Sequence, residues 1–258
     1  MPHIESADGT RIAFQAMGEG APVVIVGGAF STSEAGAPLA VALAKAGFQG
    51  VTYDRRARGG SGDTAPYSAA REAEDLRAVI DAVGGRAAVL GHSSGAVLAL
   101  FAAAQGVPTT HLFLSEPPFR FGDHEPAADL PERLQKLVDE GRPEEAVTAF
   151  QREAVGLPEQ VIEQIRASPV FAALVPLAQS VIYDATLTRA VSTPTPAMLG
   201  VKAPVTILRG DPTFPVLVTA AERLAVAMPS AKLIVVPESR NHGVDPAGTA
   251  RVIAERLR

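Results

Sequence analysis

The chain has no cysteine in its 258 residues. No disulfide, thiolate nucleophile or cysteine-based zinc site can therefore form. This fits a reducing compartment. Metal catalysis loses its best ligands, and no metal site is expected. Nor is there a basic cluster long enough to track a phosphate backbone. Lys and Arg total 23 against 28 Asp and Glu, a net charge of −5, so nucleic acid is not an expected partner. The nearest approach is Arg55-Arg56-Ala57-Arg58, in an apparent loop, where salt bridges are the expected use. The start, Met1-Pro2-His3-Ile4-Glu5, lacks the basic residues and apolar core of a signal peptide, and no apolar stretch reads as membrane-spanning. The expectation is a cytoplasmic protein. Internal repeats and low-complexity tracts are also missing.

With 47% hydrophobic and 20% charged residues, the chain can bury a large core. Thr10 to Met17 alternates apolar and polar residues, and Pro22 to Val26 is a continuous β-branched run ending in Gly27-Gly28. Both read as strands, the second one buried. Helical spacing from Ser33 to Ala46, a strand over Phe48 to Asp54 and an amphipathic helix over Ala69 to Val83 follow. The alternation continues through strands at Ala87 to Leu90 and His111 to Ser115, then stops at Glu116-Pro117-Pro118, where proline removes backbone donors. From about Phe119 to Gly200 the segments are helical, including Leu130 to Glu140, Pro143 to Val155 and Glu159 to Ala167. Strands return at Pro204 to Leu208 and Ala231 to Val236, with helices over Pro215 to Met228 and Asp245 to Leu257. The pattern predicts an α/β fold with a doubly wound, mostly parallel sheet. Residues 1–118 and 201–258 form the core and residues 119–200 an inserted helical cap.

The most specific signal is Gly91-His92-Ser93-Ser94-Gly95, a G-x-S-x-G between an apolar run and an Ala- and Leu-rich stretch, Ala96 to Ala104. A serine hydroxyl attacks carbonyls poorly unless it is exposed, aligned and deprotonated by a base. A sharp strand-to-helix turn exposes it where flanking glycines relieve crowding. Ser93 is the candidate nucleophile, and the backbone N–H of Ser94, at a helix start, is a candidate oxyanion donor. A second donor is expected from the turn after Val26, at Ala29 with Gly28 before it. A phosphate-binding role for that turn is set aside because no G-x-G-x-x-G continues from it and no Lys follows.

The serine needs a base, and of five histidines only His242 follows the last predicted strand, with Gly243 to let its loop turn back over the sheet edge. His92 adjoins the serine but neighbours on a sharp turn point apart, so it is expected to pack or orient. His3, His111 and His124 are read as surface or packing residues. The base needs a carboxylate. Asp211 follows the strand after the cap, the usual position in this chain order. Glu116 follows the strand after the nucleophile helix and is flanked by Leu112, Phe113, Leu114 and two prolines. The aromatics Phe119, Phe121, Phe150, Phe171 and Tyr183 are possible cavity walls, and more commonly such residues form a cap's own core.

Taken together, the Gly27-Gly28-Ala29-Phe30 turn, the loop from Tyr53-Asp54-Arg55-Arg56 to Gly59-Gly60-Ser61-Gly62, the elbow at Gly91 to Gly95 and the His242 loop resemble the α/β-hydrolase superfamily. The match runs over nearly the whole chain, with Gly27-Gly28 where that superfamily usually has His-Gly. In the superfamily a few residues usually separate the glycine from the acid, whereas here Asp211 directly follows Gly210. Within the superfamily, Gly91 to Ala96 followed by Leu114-Ser115-Glu116-Pro117 resembles the zearalenone-type lactonases, whose acid is a glutamate after the sixth strand. That likeness favours Glu116 over Asp211. The resemblance does not carry the lactone substrate with it; the expected activity is hydrolysis of a carboxylic ester or lactone of a small apolar molecule through an acyl-enzyme on Ser93, with no metal or organic cofactor. The same fold also serves lyases, acyl transferases, cofactor-free haloperoxidases and small-molecule-binding members. Neither substrate nor oligomeric state follows from the sequence.

Overall fold

The computed structural model describes residues 1–258. Its centre is an eight-stranded sheet in the order β1-β2-β4-β3-β5-β6-β7-β8. The strands are β1 (His3–Glu5), β2 (Arg11–Met17), β3 (Pro22–Val26), β4 (Gln49–Tyr53), β5 (Ala87–His92), β6 (Thr109–Ser115), β7 (Val205–Gly210) and β8 (Lys232–Val236). β1 and β2 pair antiparallel to their neighbours and every later pairing is parallel. The doubly wound, mostly parallel sheet expected from the alternation is therefore present. β1 is an addition that three residues of mixed polarity do not announce.

The apolar runs of β3, β5 and β6 are buried because helices cover both faces of the sheet. On one face lie α2 (Ala69–Ala82), α3 (Ser94–Ala104) and α10 (Pro215–Ala227), with α1 (Ser33–Lys45) and α11 (Pro246–Leu257) on the other. α3 is almost entirely buried, as a helix apolar on every side must be. It begins at Ser94, immediately after the serine of the pentapeptide.

Between β6 and β7 run α4 (Leu130–Asp139), α5 (Pro143–Phe150), α6 (Glu159–Arg166), α7 (Pro169–Leu174), α8 (Ala178–Ala190) and the short α9 (Pro196–Leu199). The single helix expected over Pro143 to Val155 divides. α5 ends at Phe150 and a π-helical turn, Gln151–Val155, closes on Gly156 in the left-handed region. The run Pro169–Ala190 has the length and apolarity of a membrane-crossing helix, which the sequence reading did not foresee. More than half of its most apolar stretch is buried against the chain itself, and it is interrupted by a 3₁₀ turn at Val175–Leu177. It is the core helix of the insertion, packed with Leu134, Val147 and Phe150. The same apolar cluster reaches Ala29 and Phe30, so the insertion sits on the carboxyl edge of the sheet above the β3 turn.

Candidate active site

Ser93 stands between β5 and α3 with φ 55° and ψ −126°, a backbone conformation costly for any residue with a side chain. The flanking glycines are dictated by contact. A Cβ on Gly95 would lie 2.6 Å from the Gly27 carbonyl oxygen and overlap that of Val26. One on Gly91 would overlap the backbone of Gly95 and Ala96. Close packing of the elbow against β3 thus requires both. Gly28 serves similarly, since its Cβ would fall 2.9 Å from that of Ser93.

Glu116 and His242 meet although they are far apart in sequence. Glu116 Oε2 lies 2.6 Å from His242 Nδ1, and Glu116 Oε1 accepts the Gly210 N–H at 2.9 Å. The Glu116 amide in turn donates to the Leu208 carbonyl, which extends the β6–β7 pairing by one residue. Gly210 permits the approach, because a Cβ there would lie 3.2 Å from Glu116 Oε1 and overlap the Ser239 carbonyl. Glu116 is only 2% exposed. Burial pushes its carboxyl up, and the hydrogen bonds from His242 and Gly210 outweigh burial and hold it below the usual range. His242 sits at φ 64°, and its ring rests on that of His92 with centroids 4.6 Å apart. His92 therefore packs, and its Nδ1 lies 3.2 Å from the Ser115 hydroxyl. Asp211, by contrast, is exposed. Its amide bonds the Ser239 carbonyl, and its carboxylate is not paired with His242. His111 is buried against Thr206, whereas His3 and His124 are exposed.

Ser93 and His242 share the wall of a cavity of about 460 Å³, within the range of small-molecule sites. Ala29 and Ser94 line it too, and neither amide N–H takes part in a turn or loop hydrogen bond. Gly28 lies behind them, lining an adjoining cavity of about 190 Å³. Of the five aromatics considered as walls, only Phe150 reaches the larger cavity. Phe119 belongs to the main core, and Phe171 and Tyr183 to that of the insertion. Phe214, Val216 and Leu217 at the start of α10 line the larger cavity as well, with the half-buried Arg120 beside the π-helical turn, where its Nη2 donates to the Ala154 carbonyl at 2.8 Å.

A residue that sequence reading missed also lines the cavity, Asp184 on α8, which is fully buried. It is the lone charged residue between Pro169 and Thr188, and a buried carboxylate demands cationic partners. The Arg55 to Arg58 segment supplies them. Arg55 Nη1 donates to Asp184 Oδ1 at 2.8 Å and Arg58 Nη2 to Oδ2 at 2.7 Å. Arg55 also grips Glu72 through two bonds of 2.8 and 2.7 Å, and Arg56 grips Asp75 through two of 2.7 Å. The expected salt bridges are present, and they are interior ones. Burial pushes the Asp184 carboxyl up, but the charges of Arg58 and Arg55 outweigh it and leave it lowered.

The chain belongs to the alpha/beta hydrolase family, whose model matches residues 23–255. It is similar over the full length of both chains to an alpha/beta hydrolase from Sphaerobacter thermophilus, at 40% identity and a TM-score of 0.92. Fold likeness extends to a thermophilic esterase from Thermogutta terrifontis, at 19% identity and a TM-score of 0.71, over 100% of this chain and 96% of that one. It also extends to the enol-lactonase from Burkholderia xenovorans, at 19% and 0.68, over 99% and 98%. No curated protein sequence matches.

Proposed function

We propose that this hydrolase cleaves a carboxylic ester or lactone of a small, largely apolar molecule through an acyl-enzyme on Ser93. The observation that carries the reading is the 2.6 Å contact of Glu116 with His242 Nδ1 on the cavity wall that also holds Ser93. With Nδ1–H donated to Glu116, the lone pair of Nε2 is free to take the Ser93 proton. Ser93 Oγ attacks the carbonyl carbon, and the oxyanion is received by the N–H groups of Ala29 and Ser94. His242 then protonates the departing alkoxide. In the second half, His242 deprotonates a water that attacks the acyl carbon, and the proton returns to Ser93 as the acid product leaves. Glu116 keeps its charge throughout and stabilises the imidazolium. Asp211, exposed and unpaired, is the weaker candidate for that role.

The apolar cavity wall supports a small hydrophobic substrate, as does the identity of two fold neighbours as an esterase and an enol-lactonase. In this reading residues 119–200 act as a cap that shapes the cavity, and residues 1–118 and 201–258 as the catalytic core. The test is burst kinetics with short and medium p-nitrophenyl esters, with intact mass recorded after a phosphonate probe. A burst and an adduct in wild type, both absent in Ser93→Ala, are expected. A folded wild-type protein showing neither would refute the acyl-enzyme.

A further inference from the structure

The buried charges beneath the cavity are connected to both oxyanion donors. Arg58 Nη1 donates to the Gly28 carbonyl at 2.5 Å and to the Ser31 carbonyl at 3.2 Å, while its Nη2 holds Asp184. A trans peptide is planar, with C=O and N–H pointing in opposite directions. Tying the Gly28 oxygen to Arg58 therefore turns the Ala29 N–H away from Arg58. Ala29 lines the cavity, and neither Arg58 nor Gly28 does. The second donor residue is held by the same carboxylate, because the Ser94 hydroxyl donates to Asp184 Oδ1 at 2.7 Å. Arg55 reinforces the arrangement by donating to the Gly27 carbonyl at 3.2 Å.

Asp184 belongs to the insertion, and its helix is fixed to the core on either side. Tyr183 stacks on Tyr67 with ring centroids 4.0 Å apart, and its hydroxyl donates to Asp63 at 2.6 Å. Tyr67 in turn donates to Glu72 at 2.9 Å. Arg55, Arg58, Glu72 and Asp184 form a group with two charges of each sign, all fully buried. Such a group is a poor choice for stability alone, since apolar residues of similar volume do as well or better. Its geometric specificity is what an apolar cluster would lack.

We propose that Asp184 is a positioning residue for the oxyanion hole: through Arg58 it fixes the Gly28–Ala29 peptide with its N–H facing the cavity, and through the Ser94 hydroxyl it fixes the other donor. The hole is then complete only when the helical insertion is seated on the core. This rests on the serine-hydrolase reading above.

The test compares Asp184→Asn and Arg58→Lys with Asp75→Asn, which disrupts a buried ion pair of the same kind with Arg56, whose other partners are Asp8 and the Arg71 carbonyl and none of the donor residues. Asp184→Asn and Arg58→Lys should lower kcat about 10²-fold, the cost of one misaligned oxyanion donor, with KM within about threefold of wild type. Affinity for a trifluoromethyl ketone analogue, which forms the oxyanion, should fall in parallel, while affinity for the carboxylic acid product stays unchanged. Asp75→Asn should lower stability and leave kcat per folded molecule intact. The proposal is overturned if Asp184→Asn retains kcat within about threefold, or if analogue and product affinities fall together. If Asp184→Asn does not fold, Ser94→Ala removes the 2.7 Å bond to Asp184, together with a long 3.4 Å bond from Arg55 Nη1, and leaves the buried charges intact. It should give the same pattern at about 3- to 10-fold in kcat, and its absence overturns the proposal equally. Failure of the underlying reading gives a different result, a folded wild-type protein without phosphonate adduct on Ser93, and the positioning role falls with it.

Discussion

Replacing Glu116 with glutamine removes one charge and changes no shape. The amide oxygen of the substituted side chain can still accept the Gly210 N–H, now at 2.9 Å to Glu116 Oε1, so the loop should hold. The amide nitrogen must then face His242 Nδ1, now 2.6 Å from Oε2. It donates where the carboxylate accepted, so Nδ1 becomes an acceptor, the ring proton moves to Nε2, and in the proposed mechanism Nε2 can no longer take the Ser93 proton. The charge matters as well. A carboxylate and an imidazolium with charge centres about 4 Å apart interact by about 4 kcal/mol at an effective dielectric of 20, or about three powers of ten in rate. With the tautomer error added, the expected loss in kcat approaches ~10⁴, as in serine proteases whose triad aspartate becomes asparagine. The assay is steady-state hydrolysis of a p-nitrophenyl ester from pH 5 to 10 for Glu116→Gln and Asp211→Asn. Asp211→Asn should stay within about threefold of wild type, because the carboxylate that orients the imidazole acts through a direct hydrogen bond and Asp211 makes none with His242. Glu116→Gln retaining more than about a tenth of wild-type turnover, or Asp211→Asn losing most of it, would defeat the assignment.

Ser93→Gly should abolish turnover yet stabilise the fold by about 1 kcal/mol, since glycine occupies the strained φ 55°, ψ −126° position freely; a lowered urea midpoint would contradict the strain. Gly95→Ala should destabilise by about 3 kcal/mol or more, since its methyl group meets backbone carbonyls that β3 holds in place, and near-native thermal stability would show that the elbow can spread. Burial, together with the charge of His242, lowers His92 to about 3, and burial with the charge of Arg256 lowers His111 to about 4, both from 6.5. The unfolded chain thus binds more protons between those values. The stability from keeping both rings neutral is complete above pH 6.5 and is lost as pH falls toward 4 and then 3, by at most about 1.4 kcal/mol per pH unit for each ring. Urea midpoints measured from pH 8 to 4 should fall, and a flat profile would mean that the rings titrate normally.

Much of the fold was legible because its elements carry opposite periodicities. β3, β5 and β6 are continuous apolar runs and α2 is amphipathic, so the alternation could be followed strand by strand. The elbow was legible because its glycines are required by backbone contact. The pairing of Glu116 with His242 was narrowed by resemblance only, since two carboxylates end neighbouring strands and 126 residues separate the pair that meets. Asp184 was missed for a physical reason. A single acidic residue in a long apolar helix looks like a tolerated surface charge until the three-dimensional path of the Arg55 to Arg58 loop is known, yet a carboxylate without charged neighbours in its helix and a surplus of arginines in one loop were complementary signals. The break of α5 into a π-helical turn has no local marker beyond Gly156.

In the proposed mechanism the acid stands at the end of β6, which relieves Asp211 at the end of β7 of that role. The segment from Asp211 to Thr213 still braces the His242 loop, since the Asp211 amide donates to the Ser239 carbonyl and the Pro212 carbonyl accepts the Asn241 N–H, while Phe214, Val216 and Leu217 beyond it form a wall of the cavity. In the proposed mechanism, selectivity can thus be varied by substitution at positions 216 and 217 on α10, leaving in place residues 211–213, which hold the His242 loop. A combinatorial library confined to those cavity-wall positions is the natural starting point for redirecting this hydrolase.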